Sequence, residues 1–235
     1  MNSSDKVLIV GPSWVGDMVM AHALFQSVHS NFLPTPEIHV VAPPWSKPVL
    51  ARMPEVSRVI ELPVEHGKLA FTTRLQLGRR LRSESYKQAI ILPRSLKSAL
   101  VPFFARVPIR TGFRGECRFG LVNDIRPFDK SVLDQTVKRF FALGVDVDDK
   151  EREQIPRPRL KVSSENLARL KVKFGLDEEI AVALMPGAAF GPAKQWPLEY
   201  YADLASRLAA AGVNVWVLGS NKERVLGLEL TRLAD

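Results

Sequence analysis

The sequence predicts an α/β protein with two parallel sheets, on three grounds. Short, unbroken apolar runs such as residues 7–10 are typical of parallel strands that are covered on both faces. The runs end at glycine or proline, and segments with helical periodicity follow them. The alternation of strand and helix begins near residue 6 and begins again after a charged, proline-containing stretch at residues 148–160.

The composition is that of an ordinary globular protein. Of the 235 residues, 46% are hydrophobic and 25% are charged, which is sufficient for a sizeable core. No run approaches the ~18 apolar residues that span a membrane, and the first residues lack the basic region of a secretory signal. We therefore expect a cytosolic protein. The single cysteine, Cys117, and four scattered histidines predict neither a disulfide framework nor a metal site.

The net charge of +8 favours an anionic partner. The basic residues are spread along the chain, without a recognition helix, an RNP motif or a stripe of alternating basic and aromatic residues. We therefore expect no nucleic acid as partner, and we interpret the basic cluster at residues 79–82 as a solvated helix face. Anionic lipid headgroups and phosphorylated substrates remain as the possible anionic partners.

The first domain, residues 1–147, is predicted to alternate between strands and helices. The strands are residues 7–10, 37–42, 58–62 and 88–92. The helices are one that begins close to Asp17, two at residues 46–53 and 69–81, an apolar helix within 93–104 and one at 134–143. This order predicts a parallel sheet with helices on both faces. The polar loop at residues 113–120 is either a binding loop or a solvated turn.

The second domain, residues 161–235, follows a predicted linker at residues 148–160, which is highly charged and contains two prolines. Its helices are residues 164–174, 198–211 and 226–235, and its strands are residues 180–185 and 213–218. Two strands are too few to bury a stable core, and the sequence stops inside a helix. The second domain is therefore expected to be incomplete, as in a C-terminally truncated chain.

Two loops carry residues that suit chemistry. Asp17 follows the turn after the first strand, where open parallel sheets bind ligands. It either faces a ligand or only complements the helix dipole, and the local residues favour the second role. In the loop at residues 186–197, small residues, the following helix N-terminus and Lys194 suit a diphosphate, although a structural turn fits equally well. Neither a G-x-G-x-x-G nor a Walker A motif is present.

Five blocks, in the same order, resemble the ADP-heptose-dependent heptosyltransferases of glycosyltransferase family 9. They are residues 11–20, 51–56, 97–104, 110–116 and 186–197. The resemblance implies a GT-B enzyme with two Rossmann-like domains, the first binding the acceptor and the second binding the nucleotide sugar.

The implied reaction is an inverting transfer of L-glycero-D-manno-heptose from ADP-heptose to the first heptose of the lipopolysaccharide inner core. The acceptor would be heptosyl-Kdo2-lipid A. In the family pattern Asp17 matches the general base, while Gly187 and Lys194 match the donor-binding loop. Lys97, Arg114 and Arg118 are hypothetical acceptor contacts. Direct displacement needs a carboxylate to take the acceptor proton and cations to stabilise the departing diphosphate.

The resemblance also implies where such an enzyme works. No cofactor is expected to be required, and a divalent ion is not indicated but stays open. The protein is expected in the cytoplasm, peripherally at the inner face of the inner membrane, where an anionic acceptor suits the basic charge. The family's C-terminal Asp-Ser-Gly-x-x-His segment is not in these 235 residues, so this polypeptide is expected to be weakly active or inactive. The alternative function is a non-catalytic module that binds the acceptor or the nucleotide.

Overall fold

The computed structural model describes residues 5–31, 34–65, 67–145, 154–176, 180–188 and 192–234. The chain divides into two compact units, Met1–Val162 and Ser163–Asp235. Residues 146–153, which include the first part of the predicted linker, lie outside the described residues. The predicted linker and domain limits therefore stay predictions, and each unit is described by itself.

The first unit is built around a six-stranded parallel sheet with the order β3-β2-β1-β4-β5-β6. The strands are β1 (Lys6–Val10), β2 (Glu37–Ala42), β3 (Val56–Glu61), β4 (Gln88–Ile91), β5 (Ile109–Phe113) and β6 (Asp124–Arg126). The chain proceeds outward from β1 to β3 and then returns to the other side of β1 with β4. The strand order thus reverses between β1 and β4, which is where doubly wound sheets bind ligands.

The central strand β1 is buried on both faces, which explains its unbroken apolar run. Leu8 and Ile9 point to opposite sides of the sheet and are each 0% exposed. Ile9 packs in a cluster with residues of the first and last helices of the unit, whereas Leu8 packs in a cluster with residues of the middle helices. The helices are α1 (Val15–Asn31), α2 (Lys47–Leu50), α3 (Phe71–Arg80), α4 (Leu100–Phe104) and α5 (Thr136–Phe141).

The four strands predicted for the first unit are confirmed as β1 to β4, but the prediction missed β5 and β6. These two strands carry polar side chains whose partners come from other segments. Arg110 of β5 donates from Nε to the carbonyl of Leu121 at 2.7 Å, and Thr111 Oγ1 donates to Asp124 Oδ2 of β6 at 2.8 Å. The helix predicted at residues 46–53 was too long, since α2 has four residues after a 3₁₀ turn at Pro44–Ser46.

The second unit contains a two-stranded parallel sheet of β7 (Ala181–Leu184) and β8 (Asn214–Val217). Its helices are α6 (Ser164–Phe174), α7 (Leu198–Ala210) and α8 (Arg224–Ala234). All five elements were predicted within about two residues, as expected for element boundaries. The small core of the unit lies around Leu184, Ala205 and Leu230. The predicted α/β class is confirmed, and no helix in the described ranges is long and apolar enough to cross a membrane.

The packing of α1 predicts a large effect of truncating Phe25, which is 0% exposed in the core beneath β1. Phe25→Ala should lower the free energy of unfolding of the first unit by about 3–5 kcal/mol, because it leaves a cavity. Urea unfolding followed by circular dichroism measures this loss. Phe119→Ala is the control, since Phe119 is 69% exposed, and it should change stability by less than about 0.5 kcal/mol. Equal effects of the two substitutions would contradict the packing.

Candidate active site

A cavity of about 770 Å³ lies at the carboxyl end of the first unit's sheet. Residues at the ends of β1, β2 and β4 form part of its wall, as do segments that follow these strands. The charged residues on the wall are Asp17, Glu65, Arg74, Lys97 and Glu116, and the tryptophans are Trp14 and Trp45. Among the residues that the structure describes, no group of three or more histidine, cysteine or acidic side chains is placed to hold a metal ion.

Asp17 is positioned by the turn that follows β1. The Gly11 amide donates to the Val41 carbonyl at 2.9 Å, and the Leu92 amide donates to the Val10 carbonyl at 3.2 Å, so the end of β1 is held from both sides. Asp17 lies half-buried in the first turn of α1 and on the cavity wall. Both interpretations of this residue are therefore compatible, since it complements the helix dipole while facing the cavity.

The carboxylate of Asp17 is available to a ligand. Within the described ranges, no ion pair or side-chain hydrogen bond involves it. The next residue, Met18, is 0% exposed in the core, which fixes the rotation of α1 about its axis. A rigidly placed carboxylate at the edge of a cavity is the arrangement that proton abstraction requires.

Lys97 lies on the same wall, in a 3₁₀ turn at Leu96–Ala99 that follows β4. Its predicted companion Arg118 does not line this cavity and is only 4% exposed. Arg118 Nη1 donates to the Pro93 carbonyl at 2.8 Å and to Ser98 Oγ at 3.3 Å. Its Nη2 donates to the Phe113 carbonyl at the end of β5. Arg118 thus ties the Lys97 turn to β5, and its acceptor contact stays a prediction.

Burial and two charged neighbours, Arg94 and Glu116, change the pKa of Arg118. Burial contributes most to lowering the pKa of its guanidinium, and the nearby Arg94 lowers it further, while Glu116 raises it. Glu116 Oε2 also accepts a hydrogen bond from the Leu96 amide at 2.9 Å, at the start of the Lys97 turn. Arg118 and Glu116 therefore position Lys97 from two directions.

Arg114 is exposed and lines a different cavity of about 560 Å³. Arg94, Arg126 and Phe128 share that cavity, and the Arg94 guanidinium lies 4.7 Å from the centre of the Phe128 ring. Of the three predicted acceptor residues, the structure thus brings only Lys97 to the cavity of Asp17. The acceptor contact of Arg114 stays a prediction.

In the second unit, Gly187 follows β7 and lies against Glu223. A Cβ atom at Gly187 would overlap the Glu223 carboxylate, which is the flexible end of that side chain, so Glu223 lies directly against the backbone of the loop. Glu223 Oε2 accepts from the Ser220 amide at 2.7 Å, and the hydrogen bonds with Ser220 lower the pKa of Glu223. Lys194 is exposed at the end of a 3₁₀ turn, Pro192–Lys194, that precedes α7. Residues 189–191 of this loop lie outside the described residues.

Comparison with known proteins assigns the family. The sequence profile of glycosyltransferase family 9 (heptosyltransferase) matches residues 74–234, more than half of the chain. The chain belongs to glycosyltransferase family 9.

Relatives within family 9 agree with this assignment. Lipopolysaccharide heptosyltransferase 2 of Escherichia coli K12 is 43% identical over 231 residues, and lipooligosaccharide heptosyltransferase 2 of Haemophilus influenzae Rd is 44% identical over 233. Each match covers 96% of this chain, which spans 66% of the length of these relatives. The solved E. coli ADP-heptose lipopolysaccharide heptosyltransferase II matches with a TM-score of 0.87 and 39% identity, over 97% of this chain and 70% of that one. The predicted family and its GT-B fold are thereby confirmed.

Most residues that line the cavity were not among the predicted site residues, and three of them show what signal the sequence held. Arg74 lies three and four positions before the buried Leu77 and Gly78, so a charge on the buried face of α3 was a signal in the sequence. Trp45, 42% exposed, lies in a proline-led 3₁₀ turn that no periodicity marks. The contact of Glu116 with the Leu96 amide spans 20 residues and had no local signal.

Measurements of protein stability can distinguish the roles of the two arginines that were predicted to bind the acceptor. Arg118→Met should destabilise the first unit by about 1.5–3 kcal/mol, because buried carbonyls lose their charged donor. Arg114→Met should change stability by less than about 0.5 kcal/mol, since the Arg114 side chain is exposed. Urea unfolding of both variants measures the difference. A neutral effect of Arg118→Met would remove its positioning role.

Proposed function

We propose that this chain carries the acceptor site and part of the donor site of an inverting heptosyltransferase. The reaction is transfer of L-glycero-D-manno-heptose from ADP-heptose to the first heptose of heptosyl-Kdo2-lipid A. The observation that supports it most is the Asp17 carboxylate, which has no partner in the described ranges and lies on the wall of a 770 Å³ cavity at the switch point of a family 9 fold. The names of the two relatives agree with this substrate class.

In the proposed step, Asp17 takes the proton from an acceptor hydroxyl as the hydroxyl oxygen attacks the anomeric carbon of the heptose. The new carbon–oxygen bond forms opposite the bond to the diphosphate, which breaks and leaves ADP. A single displacement inverts the anomeric centre, so no covalent sugar intermediate forms. Lys97, on the wall of the same cavity, supplies a positive charge for an anionic acceptor.

We place the donor phosphates at the Lys194 end of the loop at residues 186–197. Lys194 is exposed and lies just before α7, a helix of 13 residues whose N-terminal amides favour anions. The Gly187 end is less suitable, because the Glu223 carboxylate lies against it and would repel a diphosphate. Lys194 therefore contacts the ligand, whereas Gly187 lies against Glu223.

We further propose that the protein works at an anionic membrane surface. The net charge of +8 and the lipid-linked acceptor support this. The proposal involves no resident cofactor.

Replacement of Asp17 tests the proposed base. The measurement is heptose transfer by a chimera in which the C-terminal third of the E. coli relative follows residue 234. Asp17→Asn should lower kcat by about 10²–10⁴-fold, because the amide cannot accept the proton, while the acceptor KM changes little. The matched control is Asp134→Asn, a substitution on the exposed surface that should keep the rate. Near-normal turnover by Asp17→Asn would end the proposal.

Replacement of Lys194 tests the proposed phosphate contact. Lys194→Gln should weaken ADP binding by about tenfold or more in calorimetry, because a charge-assisted hydrogen bond is lost. Lys173→Gln, at an exposed position of α6, is the matched control and should leave ADP affinity unchanged. If the unmodified 235-residue chain binds the acceptor but not ADP, the alternative of a non-catalytic acceptor-binding module is favoured for this chain.

A further inference from the structure

Arg74 is a buried cation on the cavity wall that the proposed reaction step does not use. It lies in α3 and is 7% exposed. Its Nε donates to the Leu69 carbonyl at 2.7 Å, which holds the segment leading into the helix. Burial lowers the pKa of the guanidinium, but an arginine stays charged in proteins. The cavity therefore contains a fixed positive charge.

The two terminal nitrogens of Arg74 have no partner within the described ranges. The bond from Nε is the hydrogen bond recorded for this side chain, and no described carboxylate forms an ion pair with it. Among the described residues, Arg118 Nε is the buried side-chain atom that lacks a hydrogen bond, so the terminal nitrogens of Arg74 do not belong to that class of buried, unpaired atoms. Arg74 itself lines the cavity, and in the described part of the chain its terminal nitrogens have no acceptor.

The acidic groups of the cavity leave this charge uncompensated. Glu116 is engaged by the Leu96 amide, Glu65 is exposed, and Asp17 forms no ion pair in the described part of the chain. A buried charge without a counter-charge is unfavourable unless a ligand supplies one. A guanidinium offers two parallel N–H donors, which match the paired oxygens of a carboxylate or a phosphate.

We propose that Arg74 is a further binding residue, whose terminal nitrogens hold a pair of anionic oxygens, carboxylate or phosphate, on the ligand of this cavity. That this ligand is the glycosyl acceptor rests on the proposed function, whereas the anion site does not. Arg74 and Asp17 line the same cavity, so one acceptor can place its anionic group at Arg74 while one of its hydroxyls reaches Asp17. Arg74 thereby sets which hydroxyl reaches the base.

The test uses small probes that need no heptose donor. Glucuronate carries a carboxylate, glucose 1-phosphate carries a phosphate, and glucose is the neutral reference. Binding to the 235-residue chain is followed by NMR titration of isotope-labelled arginine side chains, with the Arg74 signal assigned by its loss in Arg74→Lys. At least one charged probe should bind at least about tenfold more tightly than glucose and shift the Arg74 signal. The probe that does so identifies the anionic group.

Two variants and a control complete the design. Arg74→Met should abolish the preference for the charged probe, whereas Arg74→Lys should keep part of it, because the charge remains without the planar fork. Arg79→Met, on the exposed side of the same helix, should bind the probe as the unmodified chain does. Circular dichroism shows whether each variant is folded. An unmodified chain that binds all three probes equally would overturn the anion site, as would an Arg74 signal that does not move.

The binding assay also separates this inference from the proposed function. The probes are not substrates for transfer, so their binding is measured without turnover. A rate for Asp17→Asn near that of the unmodified chimera, together with a shifted Arg74 signal, would end the transferase proposal and leave the anion site. A loss of transfer in Asp17→Asn, together with equal binding of all three probes, would support the transferase proposal and end the anion site.

Discussion

The candidate site depends on one constraint, the pairing of β1 with a parallel neighbour on each side. β2 and β4 pair with β1 on its two sides along the strand. The turn that carries Asp17 therefore begins at the carboxyl end of β1, between these two neighbours. The Gly11 amide and the Val10 carbonyl extend this pairing by one bond to each neighbour, and Met18 then enters the core. The position of Asp17 is therefore determined by sheet topology, and the turn sequence between Gly11 and Asp17 only has to be compatible with it.

Two buried arginines of the first unit differ in the number of hydrogen-bond acceptors that the described residues offer them. Arg118 donates to two carbonyls and a hydroxyl, so its guanidinium is largely satisfied by the protein and ties the segment after β4 to β5. Arg74 is buried to a similar degree, but within the described ranges its side chain donates to one carbonyl, and the residue lines the cavity. The degree of burial does not distinguish Arg118 from Arg74. The number and position of the hydrogen-bond acceptors around each guanidinium do distinguish them.

The sequence predicted the parts of the fold that local pattern determines. The apolar runs of β1 to β4 and the periodicity of α6 and α7 have one interpretation, because a buried strand and an amphipathic helix need those residues whatever surrounds them. β5 was missed because Arg110 and Thr111 interrupt the run and are satisfied by residues 121 and 124, which no local pattern reveals. Likewise, the sequence was sufficient to place Asp17 and Lys97 after the ends of strands. It could not predict the burial of the Arg118 side chain, which depends on carbonyls up to 25 residues away in the sequence.

The loop between β7 and α7 shows why residue type alone does not assign a role. A glycine after a parallel strand is compatible with close approach of a phosphate, yet the space beside Gly187 is taken by Glu223, whose carboxylate is fixed by the Ser220 amide. A diphosphate and this carboxylate carry the same sign of charge, so they cannot share that end of the loop without a strong cost. The cation and the helix N-terminus lie toward the other end. The loop at Gly187 therefore faces an acidic neighbour, whereas the proposed phosphate contact lies seven residues later, at Lys194.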